Sequence, residues 1–444
     1  MNARLGEAVG LDPKDMRLIR SNLYRLTEPA NFLWSAGIED TFIAEPWPPT
    51  GRMLDEYELT GHYLRYKEDI GLLAGLGVRV VRYGIPWYKV NPAAGKWDWD
   101  WADAPLEQLL EAGIEPVVDL VHYGVPAWLQ GAFLAPDFPA RMAEYAARVA
   151  ERFKGRIRAY TPLNEPRITA WYCGKLGWWP PYRRGWRGFV EVMLAVGRGI
   201  VLTVEALQSV DDDIAFVHVD ATDIFETQDA SLEPEVHRRQ EIVFLALDLI
   251  SGRINQEHSL YRWLLRQGAT VDGLAWFEAR AVDLDVIGIN LYPMYSRKVL
   301  ARTARGLRIR MPYTTTGIIE RLSQLYWDRY HAPLVITETA AMGDVERRQE
   351  WLDASVAAVR NVRESGIPLV GYTWWPALGI VTWAYRQGTL PREQYLKTMG
   401  LWDLDPEPGA NMRRMETPLV NSFQRLVADG CEAVGRLEST ERIA

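Results

Sequence analysis

Residues 347–374 read RRQEWLDASVAAVRNVRESGIPLVGYTW, and they hold a helix, a stop and a strand in unbroken succession. Arg347–Ser365 reads as a helix, and Gly366 supplies the left-handed residue that closes one. Pro368 then opens a continuous apolar run, Leu369–Trp374. A run that is apolar throughout, rather than alternating, suits a parallel strand covered on both faces. The same grammar recurs upstream. Tyr63–Leu76 stops at Gly77 before Val78–Gly84, Leu106–Ala112 at Gly113 before Glu115–Val121, and Ala140–Phe153 at Gly155 before Ile157–Pro162. Phe32–Ala36, Ile214–Val219, Leu284–Asn290 and Leu334–Glu338 bring the candidate strands to eight.

Eight βα units in one chain predict a closed (β/α)8 TIM barrel, an α/β fold, rather than an open doubly wound sheet. An open sheet with a nucleotide site would carry a Gly-rich turn after its first strand, and Gly37-Ile38-Glu39-Asp40 stands there instead. Neither a linker nor an internal repeat divides the sequence. The expectation is one domain over residues 1–444, with its core at about 32–405 and a polar, peripheral tail from about Gly430.

Of the 444 residues, 48% are hydrophobic and 24% charged, the balance of a globular protein. The net charge of -8 is spread along the chain, which argues against a nucleic-acid partner. Cys173 and Cys431 are the only cysteines and are expected to be free thiols. The first twenty residues lack an apolar stretch for export, and no run approaches the roughly 20 apolar residues of a membrane span, so the expected location is the cytoplasm. The chain is rich in rings, with 19 Trp and 20 Tyr. Flat amphipathic rings serve cores and also stack on sugars.

In a barrel of this type, chemistry gathers where strands end. Glu39 follows the first strand, Arg82 lies near the end of the second and His122 follows the third. Asn164 and Glu165 follow the fourth, Asn290 and Tyr292 mark the sixth, Glu338 ends the seventh and Trp375 follows the eighth. Two carboxyls on distant strand ends are what glycosidic bond cleavage needs: one lends a proton to the leaving oxygen, and the other meets the developing oxocarbenium charge. Glu338 is assigned as nucleophile, its pKa held down by Arg82 and Tyr292. Glu165 is assigned as proton donor, its pKa raised by burial near a second carboxylate. Asn164 with Pro166 could also simply start a helix. His122 is read as a hydrogen-bonding group for a sugar hydroxyl, and no histidine pairing suggests a metal site. Trp171, Tyr172, Trp178, Trp179, Tyr182 and Trp186 crowd the stretch after the fourth strand. Trp178 and Trp179 offer a platform for an aglycone, or else such rings pack the loop onto the barrel.

These residues resemble glycoside hydrolase family 1, the β-glucosidase and β-glycosidase family of (β/α)8 barrels. The resemblance runs from about Phe32 to Asp405. Thr161–Pro166 is similar to the family's T-F/L-N-E-P acid/base motif, and Ile336-Thr337-Glu338 to the start of its I-T-E-N-G nucleophile motif. Gly288–Tyr292 resembles G-x-N-Y-Y, Val81–Trp87 resembles Y-R-F-S-I-S-W, and His122–Leu129 resembles H-W-D-L-P-x-W-L. Gly371–Trp375 resembles G-Y-x-x-W, which implies Trp375 as the ring under the sugar; Asn290, Arg82 and Tyr292 would support the nucleophile. Departures fall on the sugar-choosing groups. The family's Q-I-E-G appears as Ala36-Gly37-Ile38-Glu39, and its D-N-F-E-W as Gly379-Ile380-Val381-Thr382-Trp383. Thr339-Ala340 stands for the N-G after the nucleophile. Lost hydroxyl-binding groups imply an altered sugar preference.

The resulting expectation is a retaining β-glycosidase acting on small β-linked glycosides, with carboxyls about 5–5.5 Å apart and with no metal or organic cofactor. Glu165 and Glu338 would be catalytic. His122, Asn164, Trp375, Trp383 and Glu39 would bind substrate. A transglycosidase, a carbohydrate-binding barrel without turnover and a polysaccharide hydrolase are the alternatives. The sugar, the aglycone and the oligomeric state are not legible.

Overall fold

The computed structural model describes residues 31–304, 306–407, 412–435 and 437. Eight apolar runs pair in parallel around a ring: β1 Leu33–Gly37, β2 Val80–Gly84, β3 Glu115–Asp119, β4 Ala159–Thr161, β5 Ala215–Ala221, β6 Val286–Asn290, β7 Leu334–Thr339 and β8 Leu369–Trp374. Neighbours in sequence are neighbours in the ring, and β8 closes on β1 from Leu33 opposite Gly371 to Ala36 opposite Trp374. Between and after the strands run α1 His62–Gly75, α2 Asp100–Glu111, α3 Phe138–Arg152, α4 Gly185–Val210, α5 Glu233–Ile250, α6 Ile318–Tyr330, α7 Val345–Glu364 and α8 Pro418–Asp429. The architecture is the (β/α)8 barrel that the eight runs predict.

Differences from the sequence-based boundaries are local. β4 keeps only Ala159–Thr161 of the expected Ile157–Pro162. α2 starts six residues earlier than expected, at Asp100, and takes Pro105 into its second turn. Proline there costs mainly the one N–H bond it cannot make. Inside the ring, Val117, Ala159, Val217, Val286 and Val335 form a compact cluster of small side chains. Gly288 on β6 belongs to that interior by necessity, since a Cβ there would meet Thr337 at 2.7 Å and Val219 at 2.8 Å. The larger rings and Leu, Ile and Met side chains fill the layer between strands and helices.

The chain past Gly430 is not peripheral as expected, at least as far as it is described. Gly430–Val434 forms a short 3-10 turn, Val434 is fully buried, and Leu437 packs against the interior cluster. The first twenty residues and the last seven, on which the export and tail readings also rest, lie outside the described residues. Cys173 and Cys431 are free thiols. No described helix is long and apolar enough to cross a membrane.

Candidate active site

β4 ends at Thr161, and the chain then turns across the mouth of the barrel. Asn164 N donates to Val121 O at 2.9 Å and Glu165 N to Val219 O at 3.1 Å, so this turn is seated between the ends of β3 and β5. Glu165 has φ 46°, in the left-handed region, and stands before the short helix Pro166–Ala170 without any side-chain capping bond. A non-glycine residue in this conformation stores strain of about 1–3 kcal/mol, which active sites commonly hold. The helix-start reading of Asn164 therefore fails for its side chain. Its Oδ1 accepts from Arg82 Nη2 at 3.0 Å, and its Nδ2 lies 2.9 Å from His122 Nε2.

Glu338 comes from β7, in register with Asn290 on β6. Arg82 Nη1 donates to its Oε1 at 2.7 Å and Tyr292 OH to its Oε2 at 2.8 Å. The other arm of Arg82 reaches Asp119 Oδ2 at 2.6 Å. The expectation that Arg82 and Tyr292 hold the Glu338 pKa down needs correction. Burial is the largest influence and the net direction is upward; Arg82 and His122 pull against it, while Glu39 adds to it. Glu165 is pushed up to about 8, by burial first and by the Glu338 charge second, with Tyr123 and Asn290 as opposing hydrogen-bond donors. The two carboxyls thus differ in one decisive respect. Glu338 has an arginine in contact, and Glu165 is held by neutral donors, so the proton belongs on Glu165.

Asn290 was expected to support the nucleophile, and this is corrected: its amide holds the proton donor Glu165. Its Nδ2 donates to Glu165 Oε1 at 2.9 Å, while its Oδ1 accepts from Thr337 Oγ1 at 2.7 Å. On His122, Nδ1 lies 2.6 Å from Asp40 Oδ1 and 3.2 Å from Asp119 Oδ2. The Asn164 amide oxygen accepts from Arg82 and Asn290, and its Nδ2 stands against His122 Nε2. Burial opposes a charged imidazole, but the Asp40 and Asp119 carboxylates outweigh it and raise the His122 pKa well above its ordinary value. Among the described residues, Asp40, Asp119 and His122 lie close enough to approach one cation. His122 and Arg82 already stand against those two acids, so the cluster is balanced by protein charge.

Trp375 donates from Nε1 to Glu39 Oε2 at 3.0 Å, and Thr41 donates to Glu39 Oε1 at 2.6 Å. The Arg82 guanidinium lies 4.6 Å from the Trp375 ring centroid. The ring also presses on β1, where a Cβ at Gly37 would meet it at 2.1 Å. Ala36, read as replacing a sugar-binding Gln, is fully buried in β1 and belongs to the large core cluster. Glu39 is the polar group which this segment delivers to the mouth. Near Thr382, the segment accepts help from elsewhere: Val381 N donates to the buried carboxyl of Glu56 at 3.2 Å.

The aromatic residues divide. Trp178 is 45% exposed, as a platform must be, but Trp179 is 3% exposed, and the platform reading is corrected for it. Trp179 stacks on Tyr172 with centroids 4.5 Å apart, and Trp383 meets both edge-on. This packing pins the loop, and Trp383 joins Tyr123 beneath it. Glu165 and Glu338 are almost closed from solvent. Asp40, Asp119, Thr337 and Tyr123 escaped the sequence reading as site residues. Asp119 ends β3 three residues before His122, a position that could have flagged it.

The chain matches the family model described as Glycosyl hydrolase family 1 over residues 35–243. It is 26% identical over 425 residues to the thermostable beta-glucosidase B of Thermobispora bispora, covering 81% of this chain and 84% of that one. It is 27% identical over 435 residues to the bifunctional beta-D-glucosidase/beta-D-fucosidase of Bifidobacterium breve, covering 86% and 89%. Its fold is similar to the beta-glucosidase of Thermotoga maritima solved with glucoimidazole. The TM-score is 0.76 at 21% identity, with 91% of this chain and 99% of that one covered.

Proposed function

We propose that the chain, whose residues 35–243 match the model of glycosyl hydrolase family 1, is a member of that family and a β-glycosidase that cleaves small β-linked glycosides with retention, as a single catalytic unit. One observation carries this reading: two buried carboxyls stand at the mouth of the barrel, and among the described residues Arg82 contacts Glu338 while neutral donors, Tyr123 and Asn290, hold Glu165. Glu165 then gives its proton to the glycosidic oxygen as the bond to the anomeric carbon breaks. Glu338 attacks that carbon and forms a glycosyl ester. In the second step water loses a proton to Glu165 and displaces Glu338, which restores both groups. Arg82 and Tyr292 orient the nucleophile and receive its charge when it leaves. Glu39, His122, Asn164 and Trp375 hold the sugar, Trp383 supports the rings around it, and Trp178 receives the aglycone. The near closure of both carboxyls supports a small glycoside over a polymer lying across an open groove.

The test is intact-protein mass spectrometry after incubation with activated 2-deoxy-2-fluoro-β-glycosides of several sugars, followed by peptide mapping. A stable adduct on Glu338 is expected, and the sugar that labels fastest names the donor. An adduct on another residue overturns the assignment. Sugar binding without any adduct would make the chain a binding protein that lacks turnover.

A further inference from the structure

Tyr123 follows His122 and is held in an unusual way. Its φ is 67°, in the left-handed region where non-glycine residues are scarce. The next residue, Gly124, is pressed onto Phe42, where a Cβ would fall 1.6 Å from the carbonyl oxygen. Strain of this kind persists only where the surroundings impose it, and it collects at functional sites. Here the turn aims a phenol: Tyr123 OH donates to Glu165 Oε2. Three rings fix the phenol in place, with His122 at 4.5 Å, Trp179 at 5.3 Å and Trp383 at 5.1 Å between centroids. Asn290 already holds the other carboxyl oxygen, Oε1.

We propose that Tyr123 is a positioning residue for the proton donor, fixing the Glu165 side chain and serving Oε2 in both of its protonation states. The inference rests on Glu165 being the proton donor. A phenol can accept from a carboxylic acid and donate to a carboxylate, whereas an indole only donates and a phenyl does neither. Glu165 needs both services, since it loses its proton to the leaving oxygen in the first step and regains one from water in the second. The charged and titratable groups facing it are Glu338 across the mouth, Asp220 on β5, Arg167 in the following helix, and Tyr172 and Tyr292. Of the titratable groups around it, Tyr123 donates to it directly.

Replacing Tyr123 by Phe keeps the ring and removes the hydroxyl. The carboxylate of Glu165 then loses a donor while Glu338 and Asp220 still disfavour its charge. The basic limb of kcat/KM for an unactivated aglycone should rise by about one to two pH units, the 10- to 100-fold gain in proton affinity that a lost charged hydrogen bond corresponds to. With a dinitrophenyl aglycone, which leaves without a proton, the first step should be nearly unchanged. Site-specific 3-fluorotyrosine at position 123, a more acidic donor, should move the limb the other way and covers the case in which Y123F misfolds. Superimposable pH profiles for wild type, Y123F and the fluorotyrosine protein would overturn the inference. Glu165→Gln separates the two claims. If E165Q abolishes the basic limb but the Tyr123 variants leave it unmoved, the inference fails alone. If E165Q keeps both limb and activity, the reading of Glu165 fails.

Discussion

Glu39 shows how one side chain can set what a pocket accepts. An ionised carboxylate offers about four acceptor positions, and Thr41 and Trp375 occupy two of those on Glu39. Of the cations nearby, Arg82 is committed to Glu338 and Asp119, and His122, whose Nε2 lies 3.9 Å from Glu39 Oε1, is shared with Asp40 and Asp119. A donor sugar bearing its own negative charge therefore meets carboxylates that outnumber the cations facing them. The prediction is that a β-glucuronide or a 6-phosphoglycoside is turned over poorly, and that Glu39→Gln raises its kcat/KM relative to the neutral glycoside by about tenfold or more, from the loss of one charge a few ångströms away. Paired assays on the two substrates check this, and an unchanged ratio would rule out a charge role for Glu39. Proton inventory gives a second prediction at the same scale. Glu165 works as an acid only while protonated, and burial with the Glu338 charge pushes its pKa up to about 8. Activity on unactivated glycosides should thus fall as pH rises through about 8. E165Q should flatten that limb and lower kcat/KM by about 10²- to 10⁴-fold, with a smaller loss for a dinitrophenyl aglycone.

At the scale of elements, a buried ionic knot ties α1 to the hairpin Trp402–Pro406 and Met412–Glu416. Arg414 from the hairpin grips Asp69 of α1 through Nε at 2.6 Å and Nη2 at 2.7 Å, and His62 Nδ1 lies 2.7 Å from the same carboxylate. His62 Nε2 in turn meets Tyr83 OH on β2 at 2.7 Å. Removing one partner of a buried pair strands the other, so Arg414→Met should cost about 3–5 kcal/mol in denaturant unfolding at pH 7. Burial opposes the Asp69 charge, but His62 and Arg414 outweigh it and its pKa is lowered. The stability this group contributes is present above the ordinary carboxylate range and lost as pH falls below it. R414M should therefore lose less than wild type between pH 7 and pH 3, and equal losses would show that Asp69 is not the linked group. None of this knot was legible in the sequence, because Asp69 and Arg414 are 345 positions apart in surroundings that read as solvated charge. The eight strands were legible for the opposite reason: continuous apolar runs after a glycine stop carry their own signal. Glu165, Glu338, Arg82, Asn290 and Tyr292 were legible because strand ends define where side chains converge. The burial of Trp179, the upward pKa of Glu338 and the phenol on Glu165 depend on packing between distant loops, which no local pattern encodes.

For the whole molecule, the barrel has two ends with different duties. The mouth holds a pair of buried carboxyls, strained backbone at Tyr123 and Glu165, and closely packed rings. Such a mouth costs stability, so the opposite end must hold the ring shut without disturbing it. There the chain beyond α8 crosses the floor, and three of its carbonyls are caught. Trp34 Nε1 donates to Gly430 O at 2.9 Å, Arg360 to Ala433 O at 2.6 Å, and Arg363 Nε to Gly435 O at 2.9 Å. Arg363 also reaches Leu369 O at the start of β8, while Val434 and Leu437 fill the space between. The floor thus joins β1 to β8, the seam where the ring closes. Ending the chain after Asp429 removes a fully buried Val and these hydrogen bonds, a loss of about 2–5 kcal/mol. The urea midpoint of the shortened protein should fall accordingly, and Val434→Ala should fall less. Because the floor lies at the far end of the strands from Glu165 and Glu338, KM and both limbs of the pH profile should stay at their full-length values in V434A at a temperature where it remains folded. A shift of either limb in step with the lost stability would mean that closing the seam also sets the geometry of the carboxyl pair, and the two ends would then be one cooperative unit.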